Sequence, residues 1–123
     1  MAKYKYLNVN PKKITINDCV TRAISLATGM PYYEVRDLLT KSAKDIGCCR
    51  ICRPCYTIML KRYFDLDVIE DGYHTAGEVA DMYPNNTLLI RTSGHLTSSI
   101  DDTIYDIFDC RNELCTHYWI VKK

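Results

Sequence analysis

The spacing of apolar residues changes once along this chain, close to Pro84, and that change limits the fold more than any other feature. Before it, apolar side chains recur at helical intervals. Val20, Ala23, Ile24 and Ala27 predict a helix from about Asp18 to Thr28, stopped by Gly29. Tyr32, Val35, Leu38, Leu39, Ala43 and Ile46 predict a second, opened by Pro31 in the first turn and running towards Ile46. A third, from about Cys55 to Phe64, buries Tyr56, Met59, Leu60 and Tyr63. Leu66 to Ile69 reads as a short strand, and Thr75 with Glu78 as a capping box that opens a short helix over about 76–83. After Pro84, Thr87–Thr92, His95–Ile100, Thr103–Asp109 and Cys115–Val121 read as four strands joined by short turns. The first 16 residues are polar and interrupted at Asn10-Pro11, with Ile14-Thr15-Ile16 leading into the first helix. Helices followed by an antiparallel β-meander is an α+β pattern, read as one domain over 1–123 with a single helical layer and a shallow cleft.

Composition excludes several classes. Apolar content of 47% and charged content of 25% are ordinary for a globular domain. The 16 basic and 15 acidic residues leave a formal charge of +1, so binding to nucleic acid or an anionic membrane by bulk electrostatics is not expected. No window approaches the length of a bilayer span, and the lysines near the N-terminus precede no apolar stretch. A cytoplasmic protein is expected. The seven cysteines are then mostly free thiols, metal ligands or a nucleophile, because an odd number without a leader argues against a secreted disulfide framework.

One constellation points to a reaction. Cys19 falls in the first turn of the first helix, where unpaired N–H groups and the helix dipole favour thiolate over thiol. His95 opens a strand, and Asp101-Asp102 has the place of a two-residue hairpin turn. That turn sets Thr97 opposite Asp106 and His95 opposite Phe108. Alternation puts His95 and Asp106 on one face, roughly 5–8 Å apart at Cβ. Asp109 points the other way and is the reserve acid for orienting the imidazole.

These residue types form a nucleophile, base and orienting acid. Cys19 as thiolate attacks a carbonyl carbon, His95 protonates the leaving group, and Asp106 holds the imidazole tautomer and stabilises its cation. The Cys19 backbone N–H supplies one oxyanion donor. Asn17 is the better second donor, since Asp18 is placed to cap the helix.

The loop Cys48-Cys49-Arg50-Ile51-Cys52-Arg53-Pro54-Cys55 carries a second possibility. Cys49, Cys52 and Cys55 have the spacing of metal ligands, and zinc or an iron–sulfur cluster would need a fourth donor from Cys48, Cys110, Cys115 or His74. The other reading is a thiol-rich loop leading into the third helix. Cys110 and Cys115 flank a short hairpin connection and are expected unpaired, and His74 and His117 are surface or packing residues.

The run Asn17-Asp18-Cys19-Val20-Thr21-Arg22-Ala23-Ile24, with Ala27-Thr28-Gly29 and Tyr33-Glu34-Val35, resembles the opening of small papain-like cysteine peptidase domains of phage and bacterial genomes. Gly94-His95-Leu96-Thr97, Asp101, Ile104-Tyr105-Asp106, Phe108-Asp109-Cys110 and Tyr118-Trp119 resemble the histidine hairpin of the same group, and Glu78 to Pro84 is similar too. The likeness spans about residues 17–120. It implies a papain-like α+β fold and thiol-dependent amide chemistry without a cofactor. Two departures are Asp101-Asp102, where the group has Asp-Gly, and the 48–55 cysteines, which its pattern lacks. The expected function is a cysteine hydrolase with a Cys19, His95, Asp106 triad, acting on a peptide, isopeptide or glutamine amide of a protein or peptide substrate. The alternatives are a catalytically silent papain-like domain acting in the host cytoplasm as a phage accessory protein that binds a host protein, or a metal-stabilised interaction module.

Overall fold

Ten elements follow one another in the computed structural model, which describes residues 2–122. They are β1 (Lys3–Tyr6), α1 (Cys19–Thr28), α2 (Tyr32–Ile46), α3 (Arg53–Phe64), β2 (Ile69–Glu70), α4 (Ala76–Met82), β3 (Thr87–Thr92), β4 (His95–Ile100), β5 (Thr103–Asp106) and β6 (Cys115–Lys122). The class is α+β, with four helices and a six-stranded mixed sheet among the described residues.

Local chemistry accounts for the helix limits. Gly29 ends α1 and Gly47 ends α2 at φ of 77° and 80°, the left-handed cap that a Cβ disfavours. α3 begins two residues before the expected Cys55 because Pro54 fits the first turn, where a missing N–H costs nothing. At α4 the capping box forms as expected: the Glu78 N–H donates to Thr75 Oγ1 at 3.2 Å, and the Thr75 N–H donates to Glu78 Oε1 at 2.8 Å.

The sheet departs from a simple meander. Its order is β1-β5-β4-β3-β6-β2. β3, β4 and β5 are consecutive antiparallel neighbours, but β6 returns across the sheet to pair with β3 rather than β5. The segment between Cys110 and Cys115 is therefore a crossover and not a hairpin turn. β1 lies parallel to β5, with Lys3 opposite Thr103 and Tyr6 opposite Asp106. Its Lys-Tyr-Lys-Tyr sequence is mostly exposed and gives little apolar signal. Ile14 and Ile16 form no strand and are exposed. The expected 66–69 strand shrinks to Ile69–Glu70 on the edge beside β6, while Leu66 packs on the helical core.

Both faces of the sheet are covered, which corrects the expectation of a single helical layer. Strand alternation sends Leu89, Leu96 and Trp119 to one side, where they pack with Ile24 of α1, Leu39 of α2 and Met59 of α3. Leu88, Ile90, Ile104 and Tyr118 go to the other and pack with Val79 and Ala80 of α4. With α1 against β4, the N-terminus of α1 is held close to the start of that strand.

Candidate active site

Cys19 is the first residue of α1, and its N–H is one of the helix-initial donors that have no intrahelical partner. Asp18 occupies the cap position but its side chain makes no capping bond, contrary to expectation. It is instead buried as the acceptor of three side-chain hydrogen bonds. Arg22 Nε donates to Oδ1 at 2.7 Å, and Tyr32 Oη and Asn10 Nδ2 donate to Oδ2 at 2.8 and 2.9 Å. Burial and Asp18 push the Tyr32 hydroxyl up to about 12, so it remains a donor.

The histidine hairpin has the expected register. Ser98 opposes Tyr105, Ser99 opposes Ile104 and Ile100 opposes Thr103, while Asp101 and Asp102 take φ of 49° and 64°. Two consecutive left-handed residues form the type of turn that matches the strand twist. Ladder pairing between β4 and β5 stops at Ser98 and Tyr105, and β5 continues with β1 as far as Asp106. The site forms at this open end. His95 Nε2 lies 2.7 Å from Asp106 Oδ2, and the His95 ring packs on Phe108 with centroids 4.7 Å apart.

Asp106 is almost completely buried and fully bonded. Its Oδ1 accepts from Arg22 Nη1 at 3.1 Å and from the Ile107 N–H at 2.7 Å, and its Oδ2 accepts from His95 and, at 3.9 Å, from Cys110 Sγ. Burial works against the carboxylate, but the His95 hydrogen bond and charge outweigh it, so Asp106 titrates below its ordinary range. Burial likewise disfavours the His95 cation, yet bonds to Asp106, Cys110 and Cys19 push its pKa up to about 11. At Cys19, burial raises the thiol. The hydrogen bond with His95, the Leu96 backbone and the charges of His95 and Arg22 reverse this and hold it below its usual value. Imidazole and carboxylate are thus joined, Cys19 lines the same cleft as His95, and Asp106 on Nε2 leaves Nδ1 of the ring for other partners.

Asp109, the reserve acid, does not reach this set. It is exposed and bound to Arg111, with Oδ2 2.8 Å from Nη2 and Oδ1 2.9 Å from Nε. Asn17 lines the cleft next to Cys19, and its side chain has no hydrogen-bond partner among the described residues. Arg22, Asn10 and Tyr32 were not anticipated. The Asp18/Arg22 spacing of four on a helix start was a readable signal for one of them. Nothing in the sequence pointed to the other two.

Cys19 and His95 open on a cleft of about 490 Å³, whose lining includes Asn17, Ile51, Tyr56 and Arg91. That volume lies within the range of small-ligand sites. Cys49 and Cys52, joined as a disulfide, form part of the same wall. Joined sulfurs offer no thiolates, so Cys49 and Cys52 in this form are not donors for the candidate metal set at 48–55. Of the other candidate donors, Cys48 is a free, half-buried thiol in the same loop, and the rest lie elsewhere. Cys110 and Cys115 are buried in the core against α4, and His74 Nδ1 lies 2.9 Å from Asp71. Cys55 is buried with its Sγ 3.8 Å from the Leu39 carbonyl oxygen. Burial and the adjacent Cys48 push its thiol up to about 11. The three ligand atoms of His95, Asp106 and Cys110 lie within 4.8 Å of one another and could hold a soft divalent ion, although the Arg22 cation on Asp106 opposes this.

Among the described residues no helix is long and apolar enough to cross a membrane. Compared with protein-family models, with curated proteins and with solved structures, the chain matches none.

Proposed function

We propose that the chain is a cysteine hydrolase of papain-like organisation that cleaves an amide through a thioester on Cys19. The observation that carries this reading is the placing of Cys19 in one cleft with a His95 ring whose Nε2 lies 2.7 Å from the buried Asp106 carboxylate, the thiol's pKa being lowered there. In the first step the Cys19 sulfur bonds to the carbonyl carbon, and the His95 proton goes to the nitrogen as the C–N bond breaks. In the second, His95 takes a proton from water, the hydroxide adds to the acyl carbon, and the C–S bond breaks to return the thiolate. Developing charge on the carbonyl oxygen is met by the Cys19 N–H at the start of α1, with Asn17, which lines the same cleft, as the second donor. A peptide, an isopeptide and a glutamine amide all suit this sequence of steps. An amine in place of water would give cross-linking.

The test is covalent trapping. A peptidyl electrophile should label Cys19 stoichiometrically, as mapped by mass spectrometry, and Cys19→Ala or His95→Ala should abolish both labelling and turnover while leaving cooperative unfolding. Labelling of other cysteines alone by a folded protein would overturn the reading and leave a non-catalytic binding domain in its place.

A further inference from the structure

We propose that Arg53 and Arg91 form an anion-binding subsite in the cleft beside Cys19, so that the substrate carries a carboxylate next to the amide under attack. This deepens the reading of Cys19 as nucleophile and rests on it.

Both arginines line the same cavity as Cys19 and His95, and that lining contains no aspartate or glutamate. Arg22, Arg36, Arg62 and Arg111 are each paired with a carboxylate, whereas Arg50, Arg53 and Arg91 have no such partner among the described residues, and of these three Arg53 and Arg91 line the cleft. Arg91 is held in place from β3, since its Nη1 donates to Thr116 Oγ1 at 2.8 Å. Arg53 is the first residue of α3, so the positive end of that helix adds to the field. The two guanidinium groups act on one neighbourhood: burial and then the charges of Arg53 and Arg91, outweighing that of Glu70, push His117 below its ordinary pKa. Two half-buried cations in one cleft wall, with no carboxylate in that lining, attract a carboxylate placed between them. A guanidinium fork also matches carboxylate geometry with two parallel hydrogen bonds. An aspartate or glutamate side chain, or a chain-terminal carboxylate, beside the scissile amide has this chemistry. Ile51 and Tyr56 supply apolar wall for the rest of the residue.

The test compares two alkylators that differ only in charge. Iodoacetate and iodoacetamide both lose iodide as the thiolate sulfur bonds to their methylene carbon. The ratio of their rates at Cys19, followed by peptide mapping, therefore reports the field in the cleft. Iodoacetate should react about tenfold faster, and added salt should narrow the gap. Arg53→Gln and Arg91→Gln should each lower the ratio several-fold and together bring it towards one, with Arg91→Lys restoring it. A ratio unchanged in the double variant assigns the preference to His95 and overturns the proposal. If Arg91→Gln does not fold, Arg53→Gln decides alone, because no described hydrogen bond depends on that side chain. Glutarate should protect Cys19 from iodoacetate, and stronger protection by inorganic phosphate would overturn the carboxylate assignment. Reaction with iodoacetamide no faster than that of free cysteine is a separate result, which rejects the activated thiolate itself.

Discussion

Arg22 Nη1 stands 3.1 Å from Asp106 Oδ1, and through this pair the helix that carries the sulfur is tied to the strand end that carries the acid. The same guanidinium bonds Asp18 at the cap of α1, so one buried cation serves two buried carboxylates. Removing it leaves the Asp18 carboxylate without a cation and Asp106 with His95 alone. Arg22→Met should destabilise the fold by roughly 3–5 kcal/mol, measured by urea unfolding. Arg22→Lys keeps the charge but can satisfy only one partner well, and should fall between.

Exchange of the acid tests orientation apart from folding. Asp106→Asn retains shape and the bond from Ile107 but removes the charge facing His95. The imidazolium then loses its main support, and the histidine pKa should fall from about 11 towards its ordinary range. Turnover should drop by on the order of 10²–10⁴. A shift of the His95 ring signals in an NMR titration would separate this from collapse of the site.

Stability should depend on pH at both ends of the scale. Asp18 and Asp106 have folded-state pKa values below their unfolded ones, so each stabilises the fold above about pH 4 and loses that contribution as pH falls through its folded value. His95 has the opposite sign. Its raised pKa stabilises fully below about pH 6.5, and the contribution disappears as pH rises towards about 11. The urea midpoint should therefore decline below pH 4 and again as the solution becomes alkaline, and His95→Ala should remove much of the alkaline decline.

The parts of this architecture that the sequence reveals are those governed by short-range rules. Thr75 with Glu78, Gly29 after α1, and the Asp101-Asp102 turn each act within a few residues, and the turn carries the register that brings His95 to Asp106. What escapes is decided across the sheet. Lys3–Tyr6 becomes a strand because β5 offers it an open edge, and β6 crosses to β3, where Trp119 and Tyr118 stand opposite Leu89 and Ile90. The same holds at the site. Asn10 and Tyr32 reach Asp18 from segments whose own sequences announce only a loop and a helix start. The Cys49–Cys52 bond likewise follows from folding of the 48–55 loop against the cleft, and ligand spacing alone could not distinguish it from a metal site.

That bond supports one more prediction. Cys49 and Cys52 close a loop of very few residues, so joining them removes little freedom from the unfolded chain, about 2 kcal/mol in the chain-entropy treatment. The local effect is larger in consequence. The loop they fasten is part of the cleft wall and leads directly into Arg53 at the start of α3. Cys49→Ser with Cys52→Ser, or a phosphine reductant acting on the parent protein, should lower the urea midpoint modestly while speeding amide hydrogen exchange across the 48–55 segment. The Cys19, His95 and Asp106 set is held by α1, β4 and β5, so alkylation of Cys19 by iodoacetamide should survive reduction. Loss of that reactivity on reduction would mean instead that the cysteine loop is needed to assemble the nucleophile, a dependence that exchange rates at residues 19–22 would expose.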